Sequence, residues 1–101
     1  MNSPRKERLL NALRGERATL AKQFGVCSVA LFGSTARDDA GPQSDVDILV
    51  EFDRHVTLFD LVAVQQHLEK VLGVSHVDVV PRDSIYPELR GRILRDAVDV
   101  N

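Results

Sequence analysis

The chain has 101 residues, of which 44% are apolar and 28% charged, and its formal net charge is −2 at pH 7. A chain of this length buries roughly two thirds of the surface that its unfolded form exposes, so one domain spanning residues 1–101 can fold without disulfides. The charge balance argues against strong nucleic-acid binding, which requires a basic surface. It does not exclude a small phosphorylated ligand.

The first segment predicts a helix from Pro4 to about Phe24, because Ser3 can cap it and Gly25 can end it. We expect its first-turn bases to lie in solvent: Arg5, Lys6 and Arg8. An apolar run over residues 27–32 predicts a strand, followed by one helical turn and a loop at 41–42. The lone cysteine of the chain, Cys27, is expected to be a buried, inert thiol of this strand.

Residues 45–52, "DVDILVEF", predict a second strand, and residues 57–73 predict a well-defined helix that ends at Gly73. Thr57 and Asp60 have the spacing of a capping box. The inner face of this helix is expected to carry apolar residues at helical spacing, namely Leu58, Leu61, Val62, Leu68, Val71 and Leu72.

Residues 76–81 predict a third strand, and residues 87 to about 98 predict a last helix. Its inner face is expected to carry Leu89, Ile93, Leu94 and Ala97. Strands that alternate with helices indicate an α/β (α+β) fold, in which helices flank a short mixed β-sheet.

Two aspartates, Asp45 and Asp47, lie one residue apart where the second strand begins. Since side chains at i and i+2 of a strand share a face, both carboxylates point the same way and repel each other. A divalent cation between them removes the repulsion, and carboxylate oxygens favour Mg²⁺ or Mn²⁺ over zinc. The pair therefore predicts a metal site.

A third carboxylate, Asp78, lies within the third predicted strand, where an aspartate is disfavoured. If the two strands pair, the three carboxylates converge and can hold two metals, one for a nucleophile and one for a leaving group. Gly33 and Ser34 end the first strand and can approach a phosphate closely, and Arg37 can add a charged donor. These features together suit a nucleoside triphosphate.

Gly33-Ser34, ten residues, then Asp45-Val46-Asp47 form the G-S-x10-D-x-D pattern, and this chain resembles the polymerase-β-like nucleotidyltransferase superfamily. The surrounding "VALFGSTAR", "SDVDILVEF", "VDVV" and "RILRDAV" look like its minimal nucleotidyltransferase (MNT) branch over nearly the whole chain. The resemblance implies that Asp45, Asp47 and Asp78 are catalytic and bind Mg²⁺, and that Gly33 and Ser34 contact nucleotide phosphates. Family members often have glycine after the arginine, whereas this chain has Asp38-Asp39.

The resemblance also implies a function and a partner. MNT proteins are commonly encoded beside HEPN ribonuclease toxins and inactivate them by transferring AMP from ATP to a tyrosine, so we expect an antitoxin with protein adenylyltransferase activity. Because no substrate-binding domain is recognisable, we expect a second protein to supply the acceptor. One alternative is a binding antitoxin that neutralises its partner by occlusion, and another is a nucleotidyltransferase for RNA or a small molecule. The oligomeric state stays open.

Two further expectations concern location and the remaining polar residues. No apolar run approaches the ~20 residues of a membrane span, and "MNSPRKERLL" lacks the apolar core of a secretory signal, so a cytoplasmic protein is expected. The three histidines share no metal-binding spacing, and we leave His76, two residues before Asp78, out of the predicted site. The basic helix face formed by Arg90, Arg92 and Arg95 is expected to be solvated, with a partner surface as the alternative.

Overall fold

The structure, a computed structural model, describes residues 4–37 and 45–100. Its elements, in chain order, are α1 (Pro4–Phe24), β1 (Val26–Phe32), α2 (Gly33–Ala36), β2 (Val46–Phe52), α3 (Leu58–Leu72), β3 (Val77–Pro81), a 3-10 turn (Arg82–Ser84), α4 (Pro87–Asp96) and β4 (Val98–Asp99). The predicted helices and strands are all present. Ser3 and the loop at 41–42 lie outside the described residues.

The four strands form one sheet in the order β3-β2-β1-β4. β2 runs parallel to β3, whereas β1 is antiparallel to both β2 and β4. The predicted mixed sheet is therefore confirmed. Strand β4 was not predicted: α4 ends at Asp96 rather than near residue 98, and the chain then pairs with Ala30 and Leu31 of β1.

The two faces of the sheet are covered unequally. One face packs against α1 and α3 in a large core, to which β2 contributes Val46, Ile48 and Val50. The opposite face has a smaller core around Ala30, Leu49 and Ile85, covered by Ile93 and Ala97 of the α4 region. Since side chains alternate along a strand, Asp47 lies on this second, more open face beside Leu49.

Helix α3 begins and ends as predicted. The Thr57 side chain accepts a hydrogen bond from the Asp60 N–H, and the Asp60 carboxylate accepts one from the Thr57 N–H, so the capping box is confirmed. The helix ends at Gly73, which adopts the left-handed conformation with φ 67°.

The predicted inner faces of α3 and α4 are partly wrong. Leu58 is 74% exposed and Val62 is 41% exposed, because the first turn of α3 is not covered by another element. The buried stripe is instead Val64, Leu68 and Leu72, at i, i+4 and i+8. In α4, Leu89 and Leu94 are exposed, while Ile93 packs against the smaller core, as does Ala97 just after the helix.

Two expectations about single side chains are also wrong. Cys27 is exposed rather than buried, because the pairing of β1 with β2 shifts register between Val26 and Ser28, which turns Cys27 outward. Lys6 is buried rather than solvated, and its Nζ donates a hydrogen bond to the Ala36 carbonyl oxygen at 2.6 Å. This contact ties α1 to the end of α2.

Among the described residues, no helix is both long enough and apolar enough to cross a membrane.

The burial along α3 makes a direct prediction for stability. Leu68→Ala is expected to lower the free energy of unfolding by about 2–5 kcal/mol, because it opens a cavity in the core between α3 and the sheet. Leu58→Ala, on the same helix, should change it by less than about 0.5 kcal/mol. Urea denaturation of both variants measures this, and similar losses would mean that the first turn of α3 is packed.

Candidate active site

The site lies where β1 ends and where β2 and β3 begin. Asp47 pairs with Phe32 of β1 on one side and with Asp78 of β3 on the other. Gly33 follows Phe32 directly and opens α2. Three neighbouring strands thus bring the Gly33 turn and the carboxylates to one edge of the sheet.

The structure brings the three predicted aspartates together. A ligand oxygen of Asp45 lies within 4.8 Å of one of Asp78, and Asp47 pairs in register with Asp78 on the neighbouring strand. Burial raises the pKa of Asp47 from 3.8 to about 6, and the negative charges of Asp78 and Asp45 add to the shift. The repulsion expected from the sequence is therefore present.

His76 is the site residue that sequence reasoning left out. Its Nε2 lies 2.8 Å from Asp78 Oδ1, and this hydrogen bond raises the pKa of His76 above its usual value. Its Nδ1 lies 3.5 Å from Glu69 Oε2. The two-residue spacing from Asp78 was the available signal, because it places both side chains on the same side of an extended chain.

The donor set fits a divalent cation. Ligand atoms of Asp45, His76 and Asp78 all lie within 4.8 Å of one another, and Asp47 lies beside Asp78 on the neighbouring strand. Carboxylate oxygens suit Mg²⁺ and Mn²⁺, and an imidazole is compatible with a transition metal. A cation would also offset the charge repulsion that raises the pKa of Asp47.

Position 33 requires glycine for two reasons, the backbone conformation there and the close approach of Asp47. Its φ of 74° lies in the left-handed region, and a Cβ built on it would collide with Asp47 Oδ2. The Asp47 carboxylate therefore lies directly against the backbone that opens α2. A ligand bound beside this contact would touch both.

The other two predicted phosphate contacts lie on or next to α2. Ser34 is half-buried in its first turn, and Arg37 follows its last residue. Arg37 forms an ion pair with Asp96 of α4 at 3.6 Å. Its positive charge lowers the pKa of Asp47, but burial and the neighbouring carboxylates raise that pKa by more. Asp38 and Asp39 lie outside the described residues.

A cleft of about 370 Å³ lies at the opposite end of β2 and β3, lined by residues that include Phe52, His55 and Pro81. None of the predicted site residues lines it. The carboxylates instead form an open surface site, which suits a substrate carried by a second macromolecule.

Comparisons with known proteins agree with this geometry. Residues 10–100 match the nucleotidyltransferase domain family. The protein adenylyltransferase MntA of Thermococcus cleftensis is 34% identical over 94 residues, which cover 93% of this chain and 94% of that protein. MJ0435 of Methanocaldococcus jannaschii is 43% identical over 91 residues, covering 90% of this chain and 97% of that protein.

Solved structures show the same fold. A structure described as a minimal nucleotidyltransferase superposes with a TM-score of 0.75 at 38% identity and covers 97% of this chain and 95% of that one. The structure of a tri-AMPylated Shewanella oneidensis HEPN toxin in complex with an MNT antitoxin gives a TM-score of 0.65 at 18% identity. The match covers 91% of this chain and 71% of that one. At that identity the second likeness shows the fold alone.

Fold and site together define an enzyme that transfers a nucleotidyl group. The chain belongs to the nucleotidyltransferase domain family, within its minimal branch. This agrees with the family resemblance of its Gly33-Ser34 and Asp45-Val46-Asp47 motifs.

The contact between Gly33 and Asp47 predicts the effect of one methyl group. Gly33→Ala should lower the free energy of unfolding by at least ~1–2 kcal/mol, because alanine is strained at this φ and its Cβ displaces the Asp47 carboxylate. Gly15→Ala, in an exposed part of α1 with nothing within 4 Å of its Cβ, should instead raise it by about 0.5–1 kcal/mol. Thermal and urea denaturation measure both; unchanged stability of Gly33→Ala would contradict the contact.

The raised pKa of Asp47 predicts how metal-free stability depends on pH. Between pH 4 and about 6 the unfolded chain loses the Asp47 proton while the folded chain keeps it, so the folded state loses stability as the pH rises. Asp47→Asn removes this penalty. With EDTA present, the variant should exceed the parent at pH 7 by on the order of 1 kcal/mol, after discounting for solvent screening, and match it at pH 4.

The control for this experiment is Asp83→Asn, because Asp83 is exposed and lies at the far end of β3. It should not alter the difference between pH 4 and pH 7. A destabilised Asp47→Asn variant at pH 7 would show that the carboxylate is stabilising without metal, contrary to the expectation.

Proposed function

We propose that this chain is a Mg²⁺-dependent protein adenylyltransferase that acts as an antitoxin by transferring AMP from ATP to a tyrosine of a HEPN-type partner. The observation that carries the proposal is the convergence of three carboxylates with the Gly33 turn at one sheet edge. That edge offers a candidate cation site next to the backbone of the Gly33 turn. Two elements of the proposal, the nucleotide and the acceptor, have separate support.

The nucleotide assignment rests on the site. Asp45, Asp47 and Asp78 would hold Mg²⁺, with His76 beside them. Gly33 and Ser34 would lie against the phosphates, with Arg37 as a charged donor. Bound Mg²⁺ supplies charge neutralisation for the triphosphate and the departing pyrophosphate. One solved structure with a similar fold is a toxin–antitoxin structure with AMP-PNP, an ATP analogue.

The acceptor assignment rests on relatives and on the open surface of the site. The relative from Thermococcus cleftensis, which this chain spans almost fully, is a protein adenylyltransferase. The Shewanella oneidensis complex contains an AMPylated HEPN toxin together with an MNT antitoxin. An exposed carboxylate cluster admits a side chain presented by a second protein more readily than an enclosed pocket does.

The proposed reaction is the transfer of AMP from ATP to a hydroxyl of the acceptor. The acceptor hydroxyl attacks the α-phosphorus and forms a new P–O bond, while the bond from that phosphorus to the bridging oxygen of the β-phosphate breaks. Pyrophosphate leaves with the electron pair of the broken bond. A carboxylate of the cluster accepts the hydroxyl proton. Most of the catalysis lies in positioning and charge neutralisation.

The test uses the protein encoded next to this chain, purified and mixed with it and Mg²⁺-ATP. Intact-mass spectrometry of the partner should show gains of whole AMP units, and peptide mapping should place them on tyrosine. Asp45→Asn should reduce the rate on the order of 10²-fold or more, because it removes a charge from the cation site. The matched control Asp83→Asn should retain the parent rate.

The alternatives give different results in the same mixture. A silenced partner with no mass gain, equally with Asp45→Asn, would mean neutralisation by occlusion and would overturn the enzymatic proposal. Transfer of labelled AMP to RNA or to an aminoglycoside without any partner would mean a different acceptor class.

A further inference from the structure

A second feature borders the Gly33 turn, and none of the three clustered aspartates lines it. It is a cleft of about 130 Å³ between that turn and α4, lined by Phe32, Gly33, Arg37, Arg92, Ile93 and Asp96. Ile93 packs against the smaller core, so the face of α4 that forms this cleft is held against the sheet. The cleft is therefore part of the folded framework.

The cleft carries an excess of positive charge. Arg37 and Asp96 largely offset each other through their ion pair at 3.6 Å. Arg92 makes no ion pair with any residue in the part of the chain that the structure describes. A guanidinium lining a cleft without a carboxylate partner is suited to an anionic ligand, which it can bind through two parallel hydrogen bonds.

Gly33 connects this cleft to the carboxylates. Gly33 lies against Asp47 Oδ2, and it also lines the cleft with Arg92. A ligand held at the carboxylates and lying across Gly33 would extend into the cleft. A triphosphate has this shape, with negative charge on each successive phosphate.

We propose that Arg92 binds the terminal phosphates of the nucleoside triphosphate in this cleft, together with Arg37. The inference rests on the proposed function and adds to it a binding residue from α4, which the sequence motifs did not assign to the site. Arg37 exchanges part of its contact with Asp96 for the phosphates. Both arginines then oppose the charge that collects on pyrophosphate as the bond to the α-phosphorus breaks.

Arg90 provides a matched control on the same helix. It lines a different cleft, with Glu51, Arg82, Asp83 and Leu94. Arg90→Gln and Arg92→Gln therefore remove the same charge from α4 at positions two residues apart. Only the second removes a guanidinium beside Gly33.

The experiment is calorimetric titration of the full chain with ATP and with AMP, in Mg²⁺ buffer, for the parent and both variants. Because AMP has no terminal phosphates, Arg92→Gln should weaken ATP binding about tenfold, the value for one lost charge-assisted hydrogen-bonded contact, and leave AMP binding within about twofold. Arg90→Gln should change neither. Arg92→Lys, which keeps the charge without the planar fork, should fall between the parent and Arg92→Gln.

The opposing results are distinct. ATP binding that is equal in Arg92→Gln and Arg90→Gln would overturn the role of Arg92 and leave the proposed function intact. Equal losses for ATP and AMP in Arg92→Gln would also overturn it, because they would reflect a damaged site rather than a lost phosphate contact. A parent chain that binds neither nucleotide would overturn both proposals.

Discussion

The parallel, in-register pairing of β2 with β3 is the constraint on which the site depends. It places Asp47 directly beside Asp78, and the same strand direction brings Asp45 and His76 to the start of the two strands. A shift of one residue in this register would move Asp78 to the opposite face, into the core beneath α1 and α3. Hydrophobic burial on that face, through Val77 and Ile48, therefore fixes the positions of charged groups on the other.

The two faces of the sheet have different roles, because one carries the large core and the other carries the carboxylates. Helices α1 and α3 cover one face and form the large core together with side chains of the strands. The other face is covered only by a small cluster around Leu49 and Ile85, next to the carboxylates. Polar contacts complete the frame: Lys6 holds the end of α2, and Arg37 links it to Asp96 of α4. Substrate access and fold stability therefore depend on different sides of the sheet.

Sequence reasoning predicted the parts of this arrangement that are local in the chain. The i and i+2 spacing of Asp45 and Asp47 shows their shared face, and an aspartate within an apolar strand identifies Asp78 as unusual. Thr57 and Asp60 are close enough in the chain for their capping box to be read directly. In each case the relevant neighbours lie within a few residues.

The features that could not be predicted depend on contacts between distant segments. The exposure of Leu58 follows from where α3 meets the sheet, and its apolar character gives no hint of this. Lys6 is buried because α2, thirty residues later, offers a carbonyl oxygen. Cys27 faces outward because of a register shift with β2, and the two-residue strand β4 exists only through its pairing with β1.

The raised pKa of Asp47 has a consequence for how this chain evolves. A carboxylate placed among other carboxylates makes the metal-free fold less stable, so random replacement of Asp47 by a neutral residue would be neutral or favourable for folding. Selection for folding alone would therefore favour the loss of the Asp47 carboxylate. A lineage that no longer needed this group would lose its charge before it lost its fold.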